Sequence, residues 1–173
     1  MLLDWRTVLD NLMLPVEFAR KRRSDFLGRA QELLRVYGLA EFAGRFPFEL
    51  SGGMRQRVAI CRALMLDPAF LVMDEPFGAL DALTRDELNL ELQRLWLETR
   101  KSVLFVTHSI AEAIFLSDRV VVMATRPGRI VETIDIDLPR PRELAVRETA
   151  LFGRYSAHIR EVFERQGVFR RHA

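Results

Sequence analysis

Cysteine is almost absent from this sequence, and long apolar runs are absent altogether. The single cysteine, Cys61, cannot close an intrachain disulfide, so the composition fits a reducing, cytoplasmic setting. No apolar stretch approaches the roughly 18–20 residues of a membrane-spanning helix. The residues from Met1 to Arg6 lack the basic-then-apolar pattern of a signal peptide. If the protein works at a membrane, we therefore expect it to dock there from the cytoplasm.

An excess of one charge sign is missing as well. The formal net charge is +2, from 26 basic and 24 acidic side chains, so we expect no nucleic-acid partner. Hydrophobic residues make up 49% and charged residues 29%, which is typical of a globular chain and not of a disordered one. A length of 173 residues is sufficient for a domain with a sizeable core.

Helical periodicity dominates the first part of the chain. The stretch from Thr7 to Leu14 predicts a short helix that ends at Pro15. Apolar residues at helical spacing predict an amphipathic helix that runs from Ser24, its cap, to Tyr37. A third helix is expected to begin near Ser51 and to carry four apolar or small residues on one face: Met54, Val58, Cys61 and Met65.

Strands alternate with helices in the second part of the chain. Two continuous apolar runs, at 69–73 and 102–107, predict strands that are buried in a parallel sheet. The other predicted elements are helices at 81–100 and 109–116, strands at 119–124 and 129–136 around a turn at Pro127-Gly128, and a helical, Arg-rich tail from Pro141. This alternation is typical of an α/β layered domain.

These patterns predict three parts. We expect a helical subdomain at 1–66, part of an α/β core at 67–140 and a helical C-terminal tail at 141–173. In sheets of this kind, functional residues tend to lie at the carboxyl ends of the strands.

A pair of glycines precedes the helix that is expected near Ser51. The string is Leu50-Ser51-Gly52-Gly53-Met54-Arg55-Gln56-Arg57. Two glycines at a helix start let a ligand approach the backbone closely, and the helix N-terminus offers N–H groups to an anion. The Ser51 hydroxyl can add a donor. The same tripeptide also serves as an ordinary turn and helix cap, so an anion site and a cap both remain open.

Acidic side chains and a histidine follow the two apolar runs. Asp74 and Glu75 end the first run, where in nucleotide hydrolases one acid can hold Mg²⁺ and the next can polarise the attacking water. Asp81 opens the following helix, where it can be a cap, and His108 follows the second run. Taken singly, these residues are also compatible with common structural features: solvated acids at a strand end, an N-cap and a structural histidine.

Taken together, in this order and spacing, the patterns resemble the ATP-binding-cassette (ABC) transporter ATPases. Four family motifs are matched: the signature motif at 50–57, the Walker B strand with its adjoining glutamate at 70–75, the D-loop at 79–81 and the switch histidine at His108. Three further segments look like importer ATPases of the nitrate, sulfonate and taurine group: 3–8, 126–130 and 135–142.

The resemblance implies a fold and a set of site residues. The fold is α/β, the C-terminal part of a P-loop NTPase core with a helical subdomain that carries the signature motif. The implied ATP-binding residues are Ser51, Gly52, Gly53, Gln56 and Asp81, the last coupling two sites across a dimer. Asp74 is expected to coordinate Mg²⁺, Glu75 to act as general base and His108 to contact the γ-phosphate.

The resemblance also implies partners and a location. A second ATPase subunit would complete a head-to-tail dimer around ATP, and a transmembrane permease subunit would dock on the helical subdomain. A periplasmic or lipoprotein substrate-binding protein would take part indirectly. The implied function is the coupling of ATP hydrolysis to uptake of a small anion such as nitrate, sulfonate or taurine, at the cytoplasmic face of the inner membrane.

One departure from the family pattern bears directly on activity. A P-loop requires G-x-x-x-x-G-K-[ST], and the only lysines, Lys21 and Lys101, follow arginines. These residues therefore contain no Walker A loop to cradle the β- and γ-phosphates, and we predict that the chain alone is inactive as an ATPase. Without N-terminal neighbours the two buried-type strands would expose apolar surface, so poor folding in isolation is also expected.

Two alternative classes stay open at this point. The first is an inactive truncated fragment, pseudogene product or piece of a split subunit that acts at most as an interaction module. The second is an ABC ATPase of DNA repair or chromosome organisation, which would insert coiled coils or zinc-binding cysteines. The uninterrupted stretch from Ser51 to Asp74 and the single cysteine disfavour the second class.

Overall fold

The computed structural model describes residues 2–124 and 127–166 of the chain. Its α-helices are α1 (Val8–Phe18), α2 (Leu27–Val36), α3 (Gly52–Leu64), α4 (Ala82–Thr99), α5 (Ile110–Leu116) and α6 (Ala150–Arg165). Its strands are β1 (Phe70–Asp74), β2 (Ser102–Val106), β3 (Arg119–Ala124) and β4 (Arg129–Asp135). Short 3₁₀ helices occupy Arg23–Phe26, Ala40–Phe42, Pro47–Glu49 and Leu144–Glu148. None of the described helices combines the length and the apolarity needed to cross a bilayer.

Helix α1 passes through Pro15, so the prediction that it ends there is wrong. Its start is as predicted, because the Thr7 hydroxyl accepts a hydrogen bond from the Asp10 N–H at 3.1 Å. Proline removes one intrahelical hydrogen bond, and burial of Val16 beyond it outweighs that loss. The chain leaves the helix where Arg20 adopts a left-handed φ of 53°.

Helix α2 begins later than its predicted cap. Ser24 lies inside the preceding 3₁₀ turn, and its hydroxyl bonds the Asp25 carboxylate at 3.0 Å instead of an N–H group of α2. The predicted capping role of Ser24 is therefore wrong, because the turn places it too early in the chain. The helix ends before Gly38, whose φ of 66° suits a residue without Cβ.

The packing divides the chain into two compact units. The first comprises the residues up to Arg85 together with Lys101–Leu104, and the second comprises Asp86–Arg100 and the chain from Phe105 onward. The different three-part division at residues 66 and 140 stays a prediction.

The core of the first unit lies between α1, α2 and α3. Its fully or almost fully buried members include Val8, Leu12, Met13, Val16, Ala30, Leu34, Leu39, Val58, Cys61 and Met65. The predicted apolar face of α3 is confirmed, since Val58, Cys61 and Met65 lie in this core and Met54 packs against it.

Strand β1 is buried on one face only, and β2 is its neighbour in a two-stranded sheet. Leu71 and Met73 are buried, whereas Phe70 and Val72 are 55% and 62% exposed. The two strands are therefore not buried on both faces, and Leu104 and Val106 of β2 are 51% and 42% exposed as well. This is the apolar surface that we expected for these strands without N-terminal neighbours. The described residues supply no cover for that face of β1.

Strands β3 and β4 form an antiparallel hairpin in the second unit. Arg119 pairs with Asp135 at one end and Ala124 with Arg129 at the other, with an irregularity between Val122 and Met123. The strand bounds agree with the predicted ones to within a residue. Arg126, which belongs to a segment of the family resemblance, lies outside the described residues, as does the tail from residue 167.

The core of the second unit joins the hairpin to α5 and α6. Its buried members are Ile114, Phe115, Val120, Val122, Ile134, Ile136, Leu138, Phe152, Ile159 and Val162. After residues 141–143, which are not helical, the chain forms the 3₁₀ helix Leu144–Glu148 and then α6, which ends at Arg165. The prediction of a separate helical tail at 141–173 stays untested.

Candidate functional site

Ser51 caps helix α3 in the first unit. Its hydroxyl oxygen accepts a hydrogen bond from the Met54 N–H at 3.2 Å, and the residue as a whole is exposed. The ordinary cap that the tripeptide predicted is therefore present. By helix geometry, the N–H groups of Gly52 and Gly53 at the start of α3 have no intrahelical carbonyl partner. Gly52 is partly exposed and Gly53 is buried, so of these two residues only Gly52 is open to solvent, and an anion site beside the cap stays a prediction.

The glycine pair also has a packing role. A Cβ added to Gly53 would lie only 2.8 Å from Thr84 Cγ2, and one added to Gly52 would lie 3.0 Å from Leu80 Cδ2. Any side chain at Gly53 would force the start of α3 away from the start of α4. No local sequence pattern predicts this contact, because it joins residues that are distant along the chain.

Asp81 is confirmed as the cap of α4. Its carboxylate accepts hydrogen bonds from the Thr84 N–H at 3.0 Å and from the Thr84 hydroxyl at 2.7 Å. The Thr84 N–H bond is the main reason that the pKa of Asp81 lies below its usual value. Since Thr84 also packs on Gly53, the D-loop cap and the signature glycines belong to one contact within the first unit.

Asp74 and Glu75 project from the carboxyl end of β1, and both are exposed. Glu75 has a φ of 45°, which is uncommon for a residue with a side chain and is a mark of local strain. The turn that holds it is closed by the Gly78 N–H, which donates to the Glu75 carbonyl at 3.2 Å, and is anchored by the fully buried Phe77. The strained residue is the one to which the resemblance assigns the general base.

Gln56 lies one helical turn beyond Gly52 on α3 and is partly buried. This spacing places the two residues on the same face of the helix. The guanidinium of Arg55 donates to the Leu50 carbonyl at 2.6 Å and so ties α3 to the residue that precedes its cap.

His108 belongs to the second unit, between the end of β2 and the start of α5. It is exposed, but the residues on either side of it are held firmly. The Ser109 N–H donates to the Thr107 hydroxyl oxygen at 3.0 Å, and that hydroxyl donates to Glu112 Oε2 at 2.6 Å. Ser109 in turn caps α5 by accepting from the Glu112 N–H at 3.3 Å. The network around Glu112 is a feature that the sequence analysis did not find.

The donor set fits a Mg²⁺ that arrives with phosphates better than a resident metal ion. Among the described residues there is no group of three or more histidine, cysteine or acidic side chains that could hold a metal. Mg²⁺ usually takes one or two carboxylates and fills its other positions with water and substrate phosphates. Asp74, exposed at a strand end beside Glu75, has a carboxylate of that kind. The roles of the individual site residues stay predictions.

Comparison with known proteins agrees with the motif assignment. Residues 2–78 match the family model described as ABC transporter. The chain is 55% identical over 139 residues to the taurine import ATP-binding protein TauB of Rhizobium johnstonii, covering 80% of this chain and 53% of that protein. It is 48% identical to the nitrate import ATP-binding protein NrtD of Synechococcus elongatus, covering 82% and 53%.

A longer match extends over most of both chains. The taurine import ATP-binding protein TauB of Pseudomonas savastanoi pv. phaseolicola is 41% identical, covering 92% of this chain and 67% of that protein. The chain spans about half the length of the first two relatives, at 53% of each. The resemblance drawn from the motifs is confirmed, and the mixture of helices and small sheets fits part of an ABC ATPase core. The chain therefore belongs to the family of ABC transporter ATP-binding proteins.

Proposed function

We propose that this chain is part of the ATP-binding subunit of an ABC importer for a small anion such as taurine, a sulfonate or nitrate. The observation that carries the proposal is the contact of Gly52 and Gly53 with Leu80 and Thr84. It assembles the signature motif and the D-loop in one unit of the chain. The names of the relatives, which refer to taurine and nitrate import, support the substrate class.

The proposed roles follow the family pattern. Ser51 and the first N–H groups of α3 would bind the γ-phosphate of ATP that is held by a second ATPase subunit, with Gln56 on the same helix face and Asp81 at the dimer interface. Bound Mg²⁺ neutralises phosphate charge, and Asp74 would be its protein ligand. Glu75 would take a proton from the attacking water.

The proposed setting is peripheral to a membrane. The helical part of the chain would dock on a transmembrane permease subunit at the cytoplasmic face of the inner membrane. A periplasmic or lipoprotein substrate-binding protein would deliver the anion to that permease. Closure of the ATPase dimer on ATP would then be coupled to transport.

Nucleotide counting in a mixed dimer tests the trans site. The chain and a full-length, hydrolysis-deficient form of the R. johnstonii relative would carry different tags, so that only the mixed complex is purified. We expect one ATP per mixed dimer. Ser51→Arg should lower the affinity of the mixed dimer for this ATP towards that of the partner subunit alone, whereas Ser24→Arg, at another exposed serine of the first unit, should leave the affinity unchanged. Two nucleotides per dimer, or equal binding by both variants, would refute the assignment of Ser51.

A further inference from the structure

Glu112 is a charged side chain that the protein buries. It lies in the first turn of α5 and is only 4% exposed. Burial of a carboxylate is costly unless hydrogen bonds compensate for the lost water. The Thr107 hydroxyl supplies such a bond at 2.6 Å. The cost of burying Glu112 indicates that the direction of this carboxylate matters to the local structure.

The network departs from an ordinary helix cap. Ser109 and Glu112 have the S-x-x-E spacing of a capping box, in which the glutamate side chain normally reaches back to the N–H of the serine. Here the Glu112 carboxylate accepts from the Thr107 hydroxyl instead, and the Ser109 N–H donates to that same hydroxyl oxygen at 3.0 Å. The capping box therefore includes Thr107 as an additional side chain, and its hydrogen bonds involve the residues on both sides of His108, Thr107 and Ser109.

The other end of α5 is held independently. The buried Arg142 guanidinium donates to the carbonyl oxygens of Ile114 and Phe115 at 2.8 and 2.9 Å. Since α5 is fixed at its C-terminal end, loss of the Glu112 contact should release the loop around His108 and leave the helix in place. The loop is therefore the part of this region that depends on Glu112.

We propose that Glu112 is a positioning residue that sets the direction of His108 by holding Thr107 and, through it, Ser109. The inference rests on the proposed function only in so far as His108 contacts nucleotide. The structural part concerns the loop itself. If Glu112 only capped α5, a substitution at position 112 would change the stability of the helix and leave the conformation of the His108 side chain unchanged.

Nuclear magnetic resonance of the full chain tests the structural part with two matched pairs of variants. Thr107→Val and Glu112→Ala remove the bond, whereas Thr107→Ser and Glu112→Gln keep a hydroxyl donor and an oxygen acceptor. We expect the first pair to lower the exchange protection of the Ser109 amide by about tenfold or more. Thr107→Val removes the hydroxyl oxygen that accepts from this amide, and Glu112→Ala removes the carboxylate that holds the hydroxyl in place. The χ1 couplings of His108 should become averaged in the same two variants and stay unchanged in the conservative pair.

A complete chimera gives the second test. Its N-terminal half comes from the R. johnstonii relative, so that ATP turnover can be measured even if the isolated chain folds poorly. Glu112→Ala and Thr107→Val should lower kcat towards the value of His108→Ala with little change in KM, and combining either with His108→Ala should add nothing.

The possible results distinguish the positioning role of Glu112 from the proposed role of His108 in ATP turnover. If His108→Ala lowers kcat and Glu112→Ala does not, Glu112 has no positioning role. Lowered exchange protection of the Ser109 amide together with unchanged χ1 couplings of His108 would also overturn the inference. If the loop responds as expected and His108→Ala leaves turnover unchanged, the proposed role of His108 fails while the positioning by Glu112 stands.

Discussion

Replacement of Arg142 by methionine would remove a buried guanidinium that holds the end of α5. Arg142 is 2% exposed, and its side chain donates to the carbonyl oxygens of Ile114, Phe115 and Ser117 at 2.8 to 2.9 Å. Two further bonds reach the Leu138 carbonyl at 3.3 and 3.0 Å. The carbonyls at the end of a helix lack intrahelical partners, so Arg142 satisfies groups that the backbone alone leaves unpaired.

The guanidinium does this without a salt bridge in the described part of the chain. Burial, with the nearby charge of Arg140 adding to it, lowers the pKa of Arg142 to about 10. The group therefore remains charged at neutral pH, and its hydrogen-bond acceptors in the described part of the chain are neutral carbonyls. Gln93 holds the backbone of the same residue, since its amide donates to the Arg142 carbonyl at 2.7 Å and accepts from the Arg142 N–H at 2.6 Å.

The magnitude follows from the groups that would lose a partner. Methionine fills a similar volume but leaves the four carbonyls without this donor, at about 1–3 kcal/mol for each one that water cannot reach. Part of that loss is offset, because burying a charged group itself costs several kcal/mol. We expect Arg142→Met to lower the free energy of unfolding by about 2–4 kcal/mol. The free energy of unfolding of Arg142→Lys should lie between those of the wild type and Arg142→Met, since an ammonium group keeps the charge but lacks the planar set of donors of a guanidinium.

Urea denaturation followed by the fluorescence of Trp96 would measure the effect. Trp96 lies in the same unit, and the Arg140 guanidinium stacks 4.3 Å from its ring centroid. A Trp5→Phe background leaves it as the only tryptophan. Arg160→Met, at an exposed arginine of α6, is the control and should change stability by less than about 0.5 kcal/mol. Equal midpoints for Arg142→Met and the control would refute the argument.

Four other changes test separate parts of the structure. Gly53→Ala should destabilise the chain by about 1–3 kcal/mol, because the added Cβ clashes with Thr84. Gly153→Ala is the control and should not destabilise the chain, since its added Cβ meets nothing within 4 Å. Equal denaturation midpoints for the two variants would contradict the packing role of Gly53. The pKa of Asp81 is lowered from 3.8, mainly by the Thr84 N–H. The contribution of the Asp81 carboxylate to stability is therefore present above pH 3.8 and is lost as the pH falls through the lowered pKa. In acid denaturation curves, the difference in stability between the wild type and Asp81→Asn should vanish over that range. The purified chain should not hydrolyse ATP, and a turnover of about 1 s⁻¹ or more would refute this. In a chimera with a complete N-terminal half, Glu75→Gln should abolish hydrolysis and leave ATP binding intact, and wild-type turnover would exclude Glu75 as the base.

The sequence by itself determined the motifs and most of the elements. Helix caps at Ser51 and Asp81 and the bounds of the β3–β4 hairpin depend on hydrogen bonds and periodicity over a few residues, so local patterns predict them. The order and spacing of the motifs were sufficient to identify the family. Ser24 was mispredicted as a cap because a 3₁₀ turn, which has no strong pattern of its own, lies in front of α2.

Only the tertiary structure decided which residues meet over long separations. Pro15 stays inside α1 because burial of the next turn outweighs one lost hydrogen bond, and that burial depends on neighbouring helices. Gly53 is required by Thr84, and Arg142 completes a helix that ends more than twenty residues earlier. Periodicity carries no record of such contacts, because packing depends on the three-dimensional arrangement of the elements and not on spacing within one of them.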